Sequence, residues 1–154
     1  NDGVKFSHKV FAQTHRIKHS DADILLYSDA DTLYHAEPDL EYLSEICPEQ
    51  SLCTFFDRPK FRDETGFYMH NPQHPRAVEW ANRLEQIYLS GEVWNYAKDR
   101  AADQYTMAFG RDSFKDCKQM DLMQYHKGVD PKDPVPTSPL NKFLQHLKGD
   151  KKLS

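Results

Sequence analysis

The chain has 154 residues, a formal net charge of −4 at pH 7, 38% hydrophobic residues and 12% aromatic residues. This length is typical of one domain with its own core, so we treat residues 1–154 as a single domain. The negative charge argues against a general nucleic-acid-binding protein, and no apolar run in the sequence is long enough to span a membrane. The three cysteines, Cys47, Cys53 and Cys117, lack metal-ligand or redox spacing, which favours a reducing compartment and predicts a cytoplasmic protein.

Apolar residues recur at helical spacing between residues 4 and 19, which predicts an amphipathic helix. Basic side chains, among them Lys9, decorate this helix. A solvated basic face is the ordinary interpretation of such a pattern.

The run Ile24–Tyr27 is continuously apolar and predicts a strand buried in a sheet that is covered on both faces. Asp29 and Asp31 follow it, at the end of a strand where open α/β sheets bind ligands. Period-two alternation predicts both carboxylates on one face and Ala30 on the other. Carboxylate oxygens suit Mg²⁺ or Mn²⁺, which bridge proteins to substrate phosphates, so the pattern predicts a metal–diphosphate site. The alternatives are an Asx-capped turn and a phosphatase-type nucleophile, the latter disfavoured because Thr32 directly follows Asp31.

The next helix is predicted to begin at residues 37–40 and to end near Ile46, with Leu40, Leu43 and Ile46 facing the core. Residues 57–63 are charged and interrupted by Pro59, which predicts a mobile loop. The other predicted elements are strands over 51–56 and 64–70, helices over 77–88 and 101–109, the latter ending at Gly110, a strand over 118–125, and a terminal amphipathic helix that begins at residue 140 and leads into a basic tail.

The segment Leu26–Leu33 resembles the Asp-x-Asp segment of GT-A fold glycosyltransferases, and the Pro-Asp-Leu helix start after it is similar to theirs. The resemblance implies an α/β, Rossmann-like domain with three α/β/α layers and a mixed sheet. It also implies that Asp29 and Asp31 hold Mn²⁺ or Mg²⁺ against the diphosphate of a nucleotide sugar, with Asp29 and Ala30 contacting the donor. A complete GT-A domain carries several upstream elements that bind the nucleotide base, so the chain is expected to be either a fragment that lacks this N-terminal part or an unusually short member.

The segment His146–Lys152 resembles the His-x-x-Gly-x-x-Lys motif of the glycogenin-like and lipopolysaccharide galactosyltransferase type. This resemblance implies that His146 completes the metal shell, and that the backbone of Gly149 and the side chain of Lys152 meet the diphosphate. Residues 140–154 would then fold over the site. His126 is a competing metal ligand that we rank second, because no lysine follows it at the matching spacing.

Four further positions take a role from the same resemblance. Related enzymes place a basic residue near the sugar or phosphates, which here is Lys9. The strand entered through Gly66 resembles their acceptor-side strand, where Gly66 either lets the donor sugar approach the backbone or marks a bulge. Asp103 and Gln104 resemble an Asp-Gln pair that lies by the reacting sugar, and the alternative is that Asp103 only caps its helix.

Together these features predict a metal-dependent hexosyltransferase. The expected donor is a nucleotide sugar, with a UDP-sugar favoured, and the expected acceptor is a carbohydrate or another hydroxyl compound. A non-catalytic nucleotide-sugar- or carbohydrate-binding remnant of the same fold is the alternative. A metal-dependent phosphohydrolase is a weaker third interpretation.

Overall fold

The computed structural model of the protein describes residues 2–58, 62–95 and 103–147 and has a mixed α/β fold. The strands are β1 (Leu25–Ser28), β2 (Thr32–Tyr34), β3 (Ser51–Phe55), β4 (Phe67–His70), β5 (Lys118–Asp121) and β6 (Leu144–His146). Four of them form a sheet in the order β1-β4-β3-β5, and β2 pairs with β6 in a second sheet. Strand β3 runs parallel to β5, whereas β4 is antiparallel to both β1 and β3, so the predicted mixed sheet is confirmed.

The helices are α1 (Asp2–His19), α2 (Leu40–Ile46), α3 (Ala77–Leu89), α4 (Asp103–Asp112), α5 (Leu122–Tyr125) and α6 (Pro134–Thr137), with 3-10 turns at Glu92–Asn95 and Pro139–Lys142. None of the helices in the described ranges combines the length and the apolar character needed to cross a membrane. Helix α3 packs against both α1 and α4.

Side-chain alternation along β4 divides the core between the two faces of the larger sheet. Tyr68 packs with buried residues of α1, α3 and α4, whereas Phe67 and Met69 pack with α2 and the segment 122–144. Because successive side chains of a strand point to opposite faces, helices lie on both sides of this sheet.

The strand before the two aspartates lies at the edge of the sheet, so the prediction that it lies inside the sheet is wrong, although both of its faces are covered. All four residues of β1 are half-buried, and among the described residues β1 pairs with β4 alone. Leu25 and Tyr27 pack against the α1 side of the sheet, and Leu26 packs against the α2 side. The apolar run therefore reflects contacts on both faces but does not specify a central position.

The chain after residue 138 is not the amphipathic helix that its spacing predicts. It forms a 3-10 turn and then β6, which pairs antiparallel with β2. The backbone groups of 144–146 thus bond to a segment more than a hundred residues away, and this pairing overrides the local helical pattern. The apolar residues of the pattern that are buried in the core are Leu140, Phe143 and Leu144.

The exposure of Leu40 and the ends of α4 and β5 also differ from the prediction. Asp39 is the N-cap of α2 and accepts from the backbone of the first turn, which leaves Leu40 74% exposed and not in the core. Gly110 does not end α4 but lies inside it, where an added Cβ would collide with Leu84 Cδ2. Strand β5 ends at Asp121, whose carboxylate caps α5 by accepting from the backbone two residues on.

Candidate metal centre

Asp29 and Asp31 lie in a tight turn at the carboxyl end of β1. Asp29 N donates to the carbonyl of Gly66 at 3.1 Å, and Thr32 N donates to the carbonyl of Asp29 at 3.0 Å. The second bond closes a four-residue turn between β1 and β2. The carboxylates therefore converge through a turn, and not through the period-two alternation predicted from sequence. Ala30 is the exposed second residue of the turn.

Strand β6 brings His146 to the two aspartates. Thr32 is the partner of His146 in the register of β2 and β6, and Leu147 N donates to the Asp31 carbonyl at 2.8 Å. His146 Nε2 lies 3.1 Å from Asp31 Oδ1, across 115 positions of sequence. One ligand atom each from Asp29, Asp31 and His146 lies within 4.8 Å of the other two. The structure therefore assembles the three predicted ligands, and their role in binding a metal stays a prediction.

The donor atoms of this cluster suit a divalent cation. Carboxylate oxygens are typical ligands of Mg²⁺ and Mn²⁺, and the imidazole favours Mn²⁺, because Mg²⁺ is bound mainly by oxygen. His146 is 8% exposed. Its Nδ1 atom and Thr32 Oγ1 are buried and have no hydrogen-bond partner among the described residues. Buried polar atoms usually have partners, and unpartnered ones also occur elsewhere among the described residues, for example at Ser51 and Thr106.

Lys9 of α1 connects the aspartate turn to α4. Its Nζ atom lies 2.7 Å from Asp29 Oδ1 and 3.3 Å from Asp103 Oδ2. The second contact is an ion pair without hydrogen-bond alignment. Burial acts to lower the pKa of Lys9, but the carboxylates of Asp103 and Asp29 outweigh it and raise that pKa above its usual value. Lys9 therefore remains an ammonium ion at neutral pH.

Asp103 is the first residue of α4 and is only 2% exposed. Burial raises the pKa of Asp103, although the Lys9 ammonium acts in the opposite direction. The carboxylate thus does more than occupy the first turn of a helix, since it also holds a lysine of another helix. Gln104 follows it and is half-buried. The predicted roles of both residues in sugar chemistry stay predictions.

Tyr27 belongs to this site and was missed as a site residue in the sequence. Its hydroxyl donates to Asp29 Oδ1 at 3.1 Å, the same oxygen that Lys9 contacts. Burial and, next, the Asp29 carboxylate raise the pKa of Tyr27, so the hydroxyl keeps its proton. A signal was available: Tyr27 precedes Asp29 by two positions, and side chains two apart in a strand share a face.

Gly66 provides the space that His146 occupies. A Cβ atom at Gly66 would lie 2.7 Å from His146 Cε1 and 3.0 Å from Glu64 Oε1. Glu64 is 6% exposed, accepts from Gly66 N at 3.0 Å and lies 3.0 Å from Arg58 Nη1. The two predicted roles of Gly66, sugar approach and bulge, do not account for this packing against the histidine. The sequence analysis assigned no role to Glu64 or Arg58.

The loop between β3 and β4 carries two ion pairs in its described part, and its predicted mobility stays a prediction. Arg111 of α4 donates to the two carboxylate oxygens of Asp63 at 2.9 and 2.7 Å, and Asp63 is 1% exposed. Arg58 donates to the Asp63 carbonyl at 3.0 Å in addition to its pair with Glu64. Charge in a sequence does not predict solvation when each charge finds a buried partner.

The competing ligand His126 is engaged elsewhere. Its Nε2 atom bonds to the Tyr42 hydroxyl at 2.9 Å, and the two rings stack. Within the described residues, His126 does not belong to the three-residue cluster. The predicted phosphate-binding residues Gly149 and Lys152 lie outside the described ranges. Comparison of the whole sequence with protein-family models and with curated proteins returns no match.

Proposed function

We propose that this protein is a metal-dependent glycosyltransferase that moves a sugar from a nucleotide-sugar donor to a hydroxyl group of an acceptor. The observation that supports this best is the meeting of Asp29 and Asp31 with His146 at the carboxyl end of β1. These three residues would hold Mn²⁺ or Mg²⁺. When bound, the ion supplies Lewis acidity that neutralises negative charge on the departing diphosphate.

Lys9 is the protein group best placed to contact the donor next to the metal. Its side chain is 28% exposed, whereas that of Asp103 is 4% exposed. Lys9 is therefore the more accessible residue of this pair, and its ammonium offers positive charge to a phosphate or a hydrogen-bond donor to a sugar hydroxyl. Asp103 lies behind it and fixes its position, together with Asp29. Preorganised positive charge of this kind stabilises a leaving diphosphate without reorganisation during the reaction.

A UDP-sugar is the donor that the resemblance in sequence favours, and a carbohydrate or another hydroxyl compound is the acceptor. The site carries several carboxylates, which suits a diphosphate only when a cation is present. The three cysteines Cys47, Cys53 and Cys117 are free thiols, which supports a reducing compartment such as the cytoplasm.

The metal site is tested by comparing Asp31→Asn with a matched variant. Wild type should gain thermal stability with a UDP-sugar only when Mn²⁺ is present, and Asp31→Asn should lose that gain because a metal ligand is removed. The control is Asp39→Asn, the same change at the N-cap of α2, where asparagine caps as well as aspartate. Isothermal titration with Mn²⁺ measures the same difference directly. Equal Mn²⁺ affinity in Asp31→Asn and Asp39→Asn would refute the metal site.

The reaction is tested by measuring UDP release from a panel of UDP-sugars with and without hydroxyl acceptors. A glycosyltransferase releases UDP much faster when its acceptor is present. Release that does not depend on any acceptor would support a phosphohydrolase. Mn²⁺-dependent binding without release would support a non-catalytic binding protein of the same fold.

A further inference from the structure

The two nitrogens of His146 face different surroundings. Nε2 points to the aspartate turn and lies 3.1 Å from Asp31 Oδ1. The adjoining edge of the ring, Cε1–Nδ1, packs against Gly66: a Cβ atom there would lie 2.7 Å from Cε1 and 3.0 Å from Nδ1. Nδ1 is buried and has no hydrogen-bond partner among the described residues. Buried polar atoms usually have a hydrogen-bond partner, so the lack of one at Nδ1 requires an explanation.

The protonation of the ring differs between the metal-free and the metal-bound site. A carboxylate only accepts hydrogen bonds, so the contact between Nε2 and Asp31 requires a proton on Nε2 when no cation is bound. A nitrogen that binds a metal must offer its lone pair instead. If Nε2 binds a metal, a proton on the imidazole has to sit on Nδ1, and this N–H group needs an acceptor because Nδ1 is buried.

Glu64 lies beside the same glycine as this nitrogen. Its Oε1 atom and His146 Nδ1 both lie 3.0 Å from the same point, the place of a Cβ atom on Gly66. We propose that Glu64 is a positioning residue for the metal centre, whose Oε1 accepts a hydrogen bond from His146 Nδ1–H when a metal binds at Nε2. This inference rests on the metal site proposed above. It assigns to Glu64 a role toward the histidine and not toward the substrate.

The surroundings of Glu64 suit it to this task. Gly66 N donates to Oε1 at 3.0 Å, and Arg58 Nη1 pairs with Oε2 at 3.0 Å, so the carboxylate is held in one orientation. An ionised carboxylate offers about four lone-pair positions, so each of its oxygens can accept more than one hydrogen bond. A histidine that binds a metal usually donates its other N–H to such a group, which fixes the ring and makes it a better ligand.

Titration of Mn²⁺ into Glu64→Ala and Glu64→Gln tests the proposal. Glu64→Ala should bind Mn²⁺ roughly 10- to 100-fold more weakly than wild type, the usual effect of removing such a partner. Glu64→Gln should recover part of the loss, since its amide oxygen still accepts a hydrogen bond. The matched control is Asp63→Ala, which removes a neighbouring buried carboxylate that pairs with Arg111. This control should lower the melting temperature and leave the Mn²⁺ affinity unchanged.

A measurement on wild type does not depend on whether any variant folds. Long-range proton–nitrogen correlation spectra of ¹⁵N-histidine-labelled protein distinguish the two neutral forms of the ring. His146 should carry its proton on Nε2 in the metal-free protein and on Nδ1 after addition of Zn²⁺, a diamagnetic substitute for Mn²⁺. A proton that remains on Nε2 in the loaded protein would overturn the proposal.

The outcomes separate this inference from the proposed function. If wild type binds no Mn²⁺, the metal site fails and the role of Glu64 fails with it. If wild type binds Mn²⁺ and Glu64→Ala binds it equally well, only the inference is refuted. A loss that is the same in Glu64→Ala and Asp63→Ala would show a general structural effect, and would also overturn a specific role for Glu64.

Discussion

Substitution of Gly66 by alanine should displace His146 from the metal centre. The new Cβ atom would lie 2.7 Å from His146 Cε1, whereas ordinary contact begins at 3.4 Å, so the ring has to move by about 0.7 Å. Metal–ligand distances tolerate only about 0.2 Å. The displaced imidazole therefore ceases to be a proper ligand, and Mn²⁺ affinity should fall roughly 10- to 100-fold.

The same substitution should also lower stability. Gly66 and His146 are buried, and overpacking of this kind costs about 1–3 kcal/mol. In a chain of this length, 1 kcal/mol corresponds to about 2–4 °C in melting temperature. We therefore expect a decrease of about 2–12 °C, measured by circular dichroism in the presence of a chelator.

Gly110→Ala is the matched control for Gly66→Ala. Its Cβ atom would lie 2.8 Å from Trp80 Cζ3 in the core between α3 and α4, far in sequence from each of the three proposed ligands. Part of the overpacking cost is offset, because alanine favours a helix interior over glycine by about 1 kcal/mol. The control should lose about 0–2 kcal/mol and bind Mn²⁺ as wild type does. If Gly66→Ala keeps wild-type Mn²⁺ affinity in isothermal titration, the contact between Gly66 and His146 does not position a metal ligand.

Three other expectations concern the groups around the site and the core. Lys9→Met should weaken UDP-sugar binding at saturating Mn²⁺ by roughly 10-fold, because one charge-assisted hydrogen bond is lost. An unchanged UDP-sugar affinity in titration calorimetry would exclude Lys9 from the donor site. Asp103→Asn should lower turnover more than donor affinity, which is measured by comparing kcat with the donor Kd in the variant and in wild type. A wild-type kcat in this variant would leave Asp103 with a structural role only. Burial lowers the pKa of His70 to about 3, below its usual value of 6.5, so the stability linked to the neutral ring is complete above pH 6.5 and is lost as the pH falls towards 3. Urea unfolding at several pH values measures the free energy of unfolding, which should fall more steeply below pH 6.5 in wild type than in His70→Gln. The same pH dependence in both proteins would contradict this expectation.

The sequence was sufficient where the structure depends on local pattern. The periodic apolar residues of α3 predict the helix that is observed, and their burial follows from the same spacing. The aromatic and β-branched content of 51–56 likewise predicts β3. The residue types at Asp29, Asp31 and His146 indicated a common chemistry before any geometry was known, since carboxylates and an imidazole are metal donors wherever the chain brings them together.

Where backbone partners are distant in sequence, only the tertiary structure decided the outcome. The spacing of apolar residues predicts which side chains are buried, but the same residues can be buried in a helix or in a strand. The segment 144–146 forms β6 because it pairs with β2. That pairing places His146 beside Asp31. The edge position of β1 has the same origin, as do the space left by Gly66 and the proximity of Glu64 to the histidine. Each of these features depends on contacts between segments that are distant in sequence. No local pattern encodes such contacts, because hydrogen bonds and close packing depend on which groups are near one another in space.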